Sequence, residues 1–242
     1  MIATLVAAAV ALPTPAQLPT VARLTQSAQP IYCGGTRGRN FALTFDDGPS
    51  PYTAALVRVL RRARARATFF DVGSRVAFWP SAARASTTVG EIGNHTWSHA
   101  HLVGLSARET RDELASTQRE IQHALGVTPQ LFRPPYAEAD AADDVLAREL
   151  GLLDVRWSFD SGDSRLGVTP RSVAHAAITA LRPGAIILLH DTHPTTAAVA
   201  RTVLRAAKRK GLRPLTVSAL LARQPPAATQ IAAIGGSHCP SR

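Results

Sequence analysis

The middle of the chain alternates between short apolar segments and longer segments with helical spacing, and this alternation constrains the fold most strongly. The apolar segments are rich in β-branched and aromatic residues, as strands are. Strands that alternate with helices pair in parallel, because each helix returns the chain to the edge where the next strand begins. The sequence therefore predicts an α/β protein with about seven parallel strands. They fall at residues 41–45, 67–72, 91–94, 130–132, 152–157, 185–189 and 212–216.

Helix signals stand at the ends of the intervening segments. Ser106 and Glu109 have the spacing of a capping box, and Pro170 follows a threonine as a proline does at the first helical position. Gly211 stands where a glycine commonly ends a helix. The predicted helices span residues 53–64, 106–125, 170–181 and 195–210.

Polar side chains follow most of the predicted strands at the point where each strand ends. A barrel gathers all of its strand ends around one mouth, whereas an open doubly wound sheet concentrates its site near one switch point. The wide distribution of these residues favours a single-domain, distorted (β/α) barrel over the open sheet. The residues are Asp46, Asp47, His95, Arg133, Asp160, Asp163, His190 and Asp191.

Two pairs of these residues have metal-binding character. His95 and His99 are four residues apart, and on a helical turn both would lie on one face and share a metal ion. Asp46 and Asp47 are adjacent, and adjacent side chains of extended backbone diverge, so one can bind a metal while the other faces a reacting water. Two histidines and an aspartate form a facial ligand set that leaves positions open. We interpret His101 as a bystander because of its spacing from His99.

Two further residues have both a chemical and a purely structural interpretation. Arg133 lies in a rigid Arg-Pro-Pro-Tyr segment and could orient an aspartate through a bidentate pair, or it could belong to a surface turn. His190 ends an apolar strand and is either a structural histidine or an acid. As an acid it needs a carboxylate that holds its tautomer and raises its pKa, and Asp163 or Asp160 could supply that carboxylate.

Four motifs in a fixed order give the chain a resemblance to a known family. They are TFDDGP at 44–49, HTWSH at 95–99, RPPY at 133–136 and LLHD at 188–191. Together they resemble the polysaccharide deacetylases, the NodB-homology domain of carbohydrate esterase family four, over about residues 41–216. The resemblance implies a distorted (β/α) barrel and the metal-dependent removal of N-acetyl groups from a glycan, with release of acetate.

The resemblance also assigns roles near the metal. By motif match, Asp47, His95 and His99 look like the metal ligands. Asp46 looks like the general base, and Arg133 looks like the residue that orients it. The implied metal is a divalent cation, zinc before Co²⁺, Ni²⁺ or Mn²⁺.

The remaining roles concern the leaving group and the substrate. His190 looks like the general acid, with Asp163 before Asp160 as the residue that tunes it. The backbone N–H of Tyr136 looks like an oxyanion donor. Substrate contacts are expected at Leu188, which lines the acetyl pocket, and at Tyr136 and Trp97.

Three positions depart from the family's usual pattern. Asp163 is followed by Ser164, where the family usually has a tryptophan that walls the substrate groove. Ala100 stands where proline is common, and Ala137 stands where glycine is common; both changes are conservative in size. These departures leave the expected catalytic side chains in place. They make the predicted substrate less specific.

Several substrates and one other class of function are compatible with these residues. Peptidoglycan and chitin or its oligomers come first, and acetylated xylan would make the protein an O-esterase. A non-catalytic glycan-binding domain is the alternative from another class.

The chain is strongly basic, with a formal net charge of +10. Such a charge favours polyanions, among them nucleic acid, anionic lipid headgroups and an anionic cell wall. No aromatic residue interleaves with the arginines of the 53–64 helix, and no nucleic-acid motif is present, so no nucleic-acid partner is expected. An arginine-rich proteome or attraction to an anionic wall accounts for the charge.

The ends of the chain are expected to lie outside the catalytic domain. Residues 1–32 are predicted to form a signal segment and a proline-rich linker. Residues 33–222 are predicted to form the deacetylase domain, and residues 223–242 a C-terminal tail. We therefore expect a secreted or wall-associated monomer without a stable membrane span. In an oxidising compartment, Cys33 and Cys239 could pair.

Overall fold

Eight strands form one curved sheet in which every pairing is parallel. The computed structural model describes residues 20–231 and Cys239. The strands are β1 (Asn40–Gly48), β2 (Ala67–Asp71), β3 (Gly90–Asn94), β4 (Leu131–Phe132), β5 (Leu153–Asp154), β6 (Phe159–Asp160), β7 (Ile186–His190) and β8 (Arg213–Leu215).

The order of the strands is that of a barrel. Along the sheet it runs β5-β4-β3-β2-β1-β7-β6, and β8 pairs with the first residues of β1. Followed around a circle, strands β1 to β7 appear in chain order without a reversal, whereas a doubly wound sheet reverses at a switch point. The prediction of a distorted (β/α) barrel of about seven parallel strands is confirmed, and this barrel is open between β5 and β6.

Helices cover the outside of the barrel, and those with predicted caps have them. Ser106 and Glu109 form the capping box, Thr169 caps a helix that begins at Pro170, and Gly211 has a φ of +70° just beyond another helix. The helices are α1 (Thr20–Thr25), α2 (Thr53–Ala63), α3 (Gly73–Phe78), α4 (Pro80–Thr87), α5 (Ala107–Leu125), α6 (Ala141–Glu149), α7 (Pro170–Thr179), α8 (Thr196–Arg209), α9 (Val217–Arg223) and α10 (Ala228–Ile231).

Alternation along β1 explains how the barrel presents polar groups at its mouth. Phe41, Leu43 and Phe45 pack in the cluster between the sheet and the outer helices. Successive side chains of a strand point to opposite faces, so Thr44 and Asp46 point into the barrel. Strand β7 alternates in the same way, which directs Leu188 and His190 inward. The C-terminal ends of these two neighbouring strands therefore deliver their polar residues to one mouth.

The terminal segments pack more closely on the barrel than the sequence predicts. Val21 and Leu24 of α1 are buried in a core cluster with residues of α9. Ile31 pairs with Val155 beyond β5. The prediction of a linker up to residue 32 is therefore wrong for residues 20–31, because apolar residues of this segment close the barrel interior. The predicted signal sequence itself lies outside the described residues.

The predicted C-terminal tail also contacts the domain. Gln224 is buried, and its side chain accepts hydrogen bonds from Asn40 and donates one to Gly35. Cys33 and Cys239 form a disulfide with a Cα–Cα distance of 6.0 Å, within the range that a disulfide spans. No described helix is long and apolar enough to cross a bilayer.

Strand β6 and six shorter helices are absent from the sequence prediction. The predicted 152–157 strand ends at Asp154, because Arg156 N–H donates to the carbonyl of Ile31 instead of continuing the sheet. The chain then pairs with β7 through β6. The two residues of β6 carry too little periodic signal for the strand to be found from sequence. The missed helices are α1, α3, α4, α6, α9 and α10.

Candidate active site

Asp46 and His190 lie opposite each other at the mouth of the barrel. They are register partners on the neighbouring strands β1 and β7, and the backbone N–H of Asp191 donates to the carbonyl of Asp46. Asp46 is buried, whereas His190 is partly exposed. A carboxylate and an imidazole therefore face the same space from adjacent strands.

Asp47 leaves the regular strand geometry and points to a different group from Asp46. The register of β1 with β2 shifts between Asp46 and Gly48, and Asp47 has a φ of +67°. A bulge of this kind re-aims a side chain at a strand end. The two aspartates do diverge, but through this bulge and not through the extended backbone that the sequence argument assumes.

His95 and His99 meet through a loop and not through a helical turn. The residues after β3 form no helix, and both Thr96 and His99 have positive φ, at +64° and +63°. The helical explanation of their spacing is therefore wrong. Thr96 N–H donates to the Asn94 side chain, which in turn donates to the carbonyl of Leu114, so α5 anchors the loop.

Asp47, His95 and His99 form the one group of three or more His, Cys, Asp or Glu side chains in the described residues that could hold a metal ion. Their ligand atoms all lie within 4.8 Å of one another. Oδ1 of Asp47 lies 3.3 Å from Nε2 of His95 and 3.0 Å from Nε2 of His99.

The chemistry of this group fits a divalent cation. Nδ1 of His95 lies 2.7 Å from the carbonyl of Arg133, which fixes its N–H there and leaves the Nε2 lone pair facing Asp47. The buried Oδ1 of Asp47 has no hydrogen-bond partner among the described residues. Converging lone pairs on an ionised carboxylate and an imidazole need a cation between them.

Arg133 is fully buried and holds Asp46. Its Nη1 donates to Oδ1 of Asp46 at 2.7 Å and to the hydroxyl of Thr44 at 2.8 Å, while Nε and Nη2 donate to the carbonyls of Val155 and Arg156. The predicted bidentate pair is therefore wrong, because only Nη1 reaches the carboxylate. The guanidinium also stands over the ring of Phe70 at 4.1 Å. Thr44, a polar residue in an apolar strand, was the available sequence signal for this network.

His190 contacts Asp163 and not Asp160. Nδ1 of His190 lies 2.7 Å from Oδ1 of Asp163, and the backbone N–H of His190 donates to Oδ2 at 2.8 Å. Burial alone would lower the pKa of His190, but the hydrogen bond and charge of Asp163, with Asp46 and Asp47 nearby, raise that pKa to about 9. Asp160 instead accepts from the N–H of Gly162. The contact with Asp163 therefore favours the protonated form of His190.

Tyr136 adopts a backbone conformation that is uncommon for a side chain of its size. It has φ of +58° and ψ of 8° within a short 3₁₀ turn, Pro135–Ala137. Its hydroxyl lies 3.1 Å from Nδ1 of His99, and the ring of His101 stacks on its ring at 3.8 Å. The backbone N–H of Tyr136 makes no backbone hydrogen bond with the described residues. His101, interpreted as a bystander, is absent from the metal-binding group but covers Tyr136.

The three predicted substrate contacts occupy different environments. Leu188 is buried on β7, and Tyr136 is 54% exposed. Trp97 is half-buried with its ring edge beside Gly73, so it packs against α3. Ser164, which replaces the family's tryptophan, is exposed in a loop that also exposes the whole side chain of Leu166. The Asp163 side of the mouth therefore lacks an aromatic wall at position 164.

Two buried carboxyl groups lie beneath the site: Asp191, which the sequence placed at a strand end without a role, and Asp71, which the sequence analysis missed. A Cβ added to Gly48 would lie 2.7 Å from Oδ1 of Asp71 and 2.8 Å from Oδ2 of Asp191. Burial and mutual repulsion raise the pKa of Asp71 well above its usual value, and burial raises that of Asp191 to about 7. Thr53 donates to Asp191. An aspartate at the end of the apolar 67–72 segment was the signal for this layer.

Comparison with known proteins supports the same family. The chain matches the family description "Polysaccharide deacetylase" over residues 34–155. It is 35% identical over 187 residues to a peptidoglycan-N-acetylglucosamine deacetylase of Listeria monocytogenes, covering 75% of this chain and 39% of the relative. It is 36% identical over 184 residues to a bifunctional xylanase/xylan deacetylase of Cellvibrio japonicus, covering 75% of this chain and 27% of the relative.

A solved structure shares the fold. The family 4 carbohydrate esterase of Streptomyces lividans, solved in complex with acetate, superimposes with a TM-score of 0.70 at 35% identity, over 73% of this chain and 92% of that one. The chain spans about two fifths of the length of the Listeria relative. The matched segment, the barrel and the ordered motifs agree, and the chain belongs to the polysaccharide deacetylase family.

Proposed function

We propose that this protein is a metal-dependent deacetylase that hydrolyses N-acetyl groups on a cell-wall glycan, most directly peptidoglycan or chitin, and releases acetate. One observation carries the proposal. Asp46 and His190 are register partners at the barrel mouth, and the Asp47, His95 and His99 group lies beside them, with Nε2 of His95 4.0 Å from Oδ2 of Asp46. Hydrolysis of an amide needs a base for water and an acid for the departing nitrogen, and this arrangement offers both.

Asp47, His95 and His99 are the proposed ligands of the metal. Two imidazoles and one carboxylate favour zinc, while Co²⁺, Ni²⁺ and Mn²⁺ accept the same donors. When bound, the cation would polarise the acetyl carbonyl and lower the pKa of a water molecule. Arg75 stabilises the backbone at Asp47, because its Nη1 donates to the backbone carbonyl of Asp47 at 2.9 Å.

Asp46 is the proposed general base. Arg133 fixes one of its oxygens and leaves the other, Oδ2, directed towards His95 and the metal-binding group. Oδ2 is therefore the oxygen placed to accept a proton from the attacking water. Arg133 is a positioning residue in this scheme, since it acts through Asp46.

His190 is the proposed general acid. Asp163 holds its Nδ1–H, so the proton on Nε2 is the one available to the departing amine. An amine leaves poorly as an anion, and protonation at this stage removes that barrier. The backbone N–H of Tyr136 is the proposed donor to the oxyanion, and the left-handed turn leaves this N–H without a backbone partner among the described residues.

The remaining features of the protein are proposed on the same basis. Residues 33–222 form the catalytic domain, to which the segments 20–31 and 223–231 add packing. The disulfide between Cys33 and Cys239 suits an oxidising compartment and supports a secreted or wall-associated monomer. Leu188, Tyr136 and Trp97 are the proposed substrate contacts.

The test is acetate release from three substrates measured in parallel, with and without a chelator and with metals added back. Peptidoglycan, chitooligosaccharides and acetylated xylan separate the candidate substrates. We expect chelator-sensitive release from an N-acetylated glycan. Acetate release that survives complete metal removal would overturn the metal dependence. No release from any substrate after metal is restored would overturn the proposal and favour a glycan-binding domain.

An acetylxylan O-esterase is the second candidate. The serine at position 164 leaves the acid side of the mouth open, and one relative is a xylan deacetylase. The alkoxide released from an ester is a better leaving group than the amine anion released from an amide. Hydrolysis of the ester therefore depends less on protonation by His190. A rate on acetylxylan that exceeds the rate on chitooligosaccharides would favour this candidate.

A further inference from the structure

Helices α2 and α8 lie side by side on the outside of the barrel and carry a dense group of positive charges. They pack directly against each other, and their apolar residues share one core cluster with those of β1 and β7. Neither helix contains an aspartate or glutamate. Seven of their exposed side chains are cationic and define what we call the cationic face: Arg58, Arg61, Arg62, Arg201, Arg205, Lys208 and Arg209.

The charge of the cationic face is not neutralised within the described part of the molecule. None of the ion pairs among the described residues includes a side chain of this face. Arg61 donates to the neutral hydroxyl of Thr88. By contrast, Arg108 and Arg111 of α5 each lie near a carboxylate, of Asp112 and Glu149 respectively.

We propose that the cationic face binds a phosphodiester-rich polymer of the cell wall and holds the protein on its substrate. Six of the seven cations are arginines, whose planar forks match phosphate oxygens in two hydrogen bonds. The proposed polymer is a partner and not a substrate, because the face lies outside the barrel while the catalytic residues line its mouth. The choice of a wall polymer rests on the proposed function.

The structure favours this occupant over a nucleic acid or a membrane. The disulfide indicates an oxidising compartment, where nucleic acid is not the ordinary polyanion. Stacking on bases would need aromatic residues, and α2 and α8 have none. Insertion into a bilayer would need exposed large apolar side chains, and neither helix has one.

The test compares two variants of equal net charge in a sedimentation assay with insoluble wall material. One variant replaces four cations of the face with glutamine, and the other replaces four exposed arginines of α1, α5 and α9. Each change lowers the formal net charge from +10 to +6. The face variant changes Arg58, Arg62, Arg201 and Arg205, and the control changes Arg23, Arg108, Arg119 and Arg223.

The probe is peptidoglycan that carries poly(glycerol phosphate), compared with the same material after hydrofluoric acid has removed the phosphodiesters. We expect the face variant to bind the phosphate-bearing wall about tenfold more weakly, with a shallower dependence on salt, and the control variant to bind as the parent does. Equal losses in both variants would assign the effect to net charge and overturn the proposal. Undiminished binding to the stripped wall, or tighter binding to DNA or anionic vesicles, would overturn it as well.

Acetate release from a soluble chitooligosaccharide is measured on the same samples. The face variant should keep the parent's rate, since the cationic face is remote from the barrel mouth. This measurement separates the two claims: loss of binding with full turnover supports the cationic face alone, and binding without turnover contradicts only the proposed function.

A different observation concerns the turn that carries Tyr136. Ala137 follows it with a φ of +61°, so two consecutive non-glycine residues lie in the left-handed region, at a cost of about 1 kcal/mol or more each. The buried Arg156 donates through Nη1 to the carbonyl of Ala137. Its Nε lies 2.9 and 2.7 Å from the two carboxylate oxygens of Asp154.

We infer that Arg156 is a positioning residue that holds the strained turn and, through it, the N–H of Tyr136. Asp154 anchors the guanidinium, so the contact with Ala137 is made by a side chain that cannot swing away. The expected effect of Arg156 on turnover rests on the proposed function, whereas its contact with the turn does not. A lysine at this position would keep the charge beside Asp154 but could not bond Asp154 and the carbonyl together.

The test is a double-mutant cycle between Arg156→Lys and Ala137→Gly, with kcat and KM measured separately. Arg156→Lys should lower kcat about tenfold with little change in KM. Ala137→Gly should have little effect alone and should restore most of the lost kcat in the double variant, since glycine adopts the turn without strain. A double variant as slow as Arg156→Lys alone would overturn the inference, and so would a loss confined to KM. Thermal unfolding of all four proteins shows whether each is folded, independently of activity.

Discussion

The two sides of the barrel mouth are built with very different amounts of support. On the metal side, formed by β1, β3 and β4, His95 and Arg133 are buried and Arg133 alone makes four hydrogen bonds. On the acid side, formed by β6 and β7, His190 is tied to one carboxylate, and the loop after Asp163 exposes Ser164 and Leu166. The metal side is fixed by buried contacts from several strands, whereas the acid side depends on one partner and an open loop.

The difference indicates where the site tolerates change. Five of the seven described non-glycine residues with positive φ lie on the metal side or its adjoining turn: Asp47, Thr96, His99, Tyr136 and Ala137. Such conformations persist only where the surroundings over-determine them. Substitutions on the metal side should therefore affect both folding and chemistry, and those on the acid side should affect chemistry or substrate binding more than folding.

The largest effect is expected from Arg133→Met. The change leaves Asp46 buried without its partner and removes hydrogen bonds to three further residues, so the free energy of unfolding should fall by about 3–5 kcal/mol. Chemical denaturation measures it. The control is Arg111→Met, which breaks an exposed pair with Glu149 and should cost no more than about 1 kcal/mol. Equal losses in the two variants would contradict the difference between the sides.

Asp163→Asn should leave the fold intact and impair turnover. Without the carboxylate, the pKa of His190 falls from its raised value, less of the imidazole is protonated, and kcat should drop about a hundredfold at neutral pH. The control is Asp160→Asn, which removes a neighbouring carboxylate that does not contact His190. A similar loss from Asp160→Asn would contradict the assignment of the partner.

The pH dependence of activity tests the same role of Asp163. In the parent, activity that needs protonated His190 should fall as the pH rises through about 9, and a bound cation would move this limb lower. Asp163→Asn should shift the limb towards the ordinary value of 6.5. Stability follows the same direction, because a raised pKa stabilises the folded state below about pH 6.5 and the gain is lost as the pH passes 9. An alkaline limb that stays in place in Asp163→Asn would contradict this account.

The smallest effect is expected from Ser164→Trp. An aromatic wall on the open acid side should lower KM for a chitooligosaccharide about tenfold, the equivalent of about 1.4 kcal/mol, and leave kcat unchanged. Ser164→Ala serves as the control and should leave both parameters unchanged. A change in kcat without a change in KM would show that position 164 acts on the chemistry and not on the groove.

Much of the barrel could be predicted from sequence because its main strands and helices are long enough to show their period. Strands β1, β2 and β7 and helices α5 and α8 carry clear apolar patterns or caps. Strands β4, β5 and β6 have two residues each, and their pairing depends on tertiary contacts such as that between Ile31 and Val155. The segments of β4 and β5 were predicted as strands, whereas β6 and the packed terminal segments lay beyond a periodicity argument.

At the site, sequence identified the groups but not the backbone that arranges them. The motifs contain Asp47, His95 and His99, yet the bulge at Asp47 and the left-handed residues of the 95–99 loop replace the extended and helical geometries assumed for them. Ala137 was judged by size, whereas its φ of +61° makes it a position where glycine is favoured. Arg156 and Asp71 lie in apolar segments, where a charged residue is itself a signal.

Asp46→Asn tests the central claim most directly when turnover and metal content are measured on the same sample. The variant keeps the shape of the side chain and the Asp47, His95 and His99 group but lacks the basic carboxylate. Zinc content after equilibrium dialysis should equal that of the parent, while acetate release from a chitooligosaccharide should fall about a thousandfold or more. Turnover near the parent's rate at equal zinc content would contradict the account.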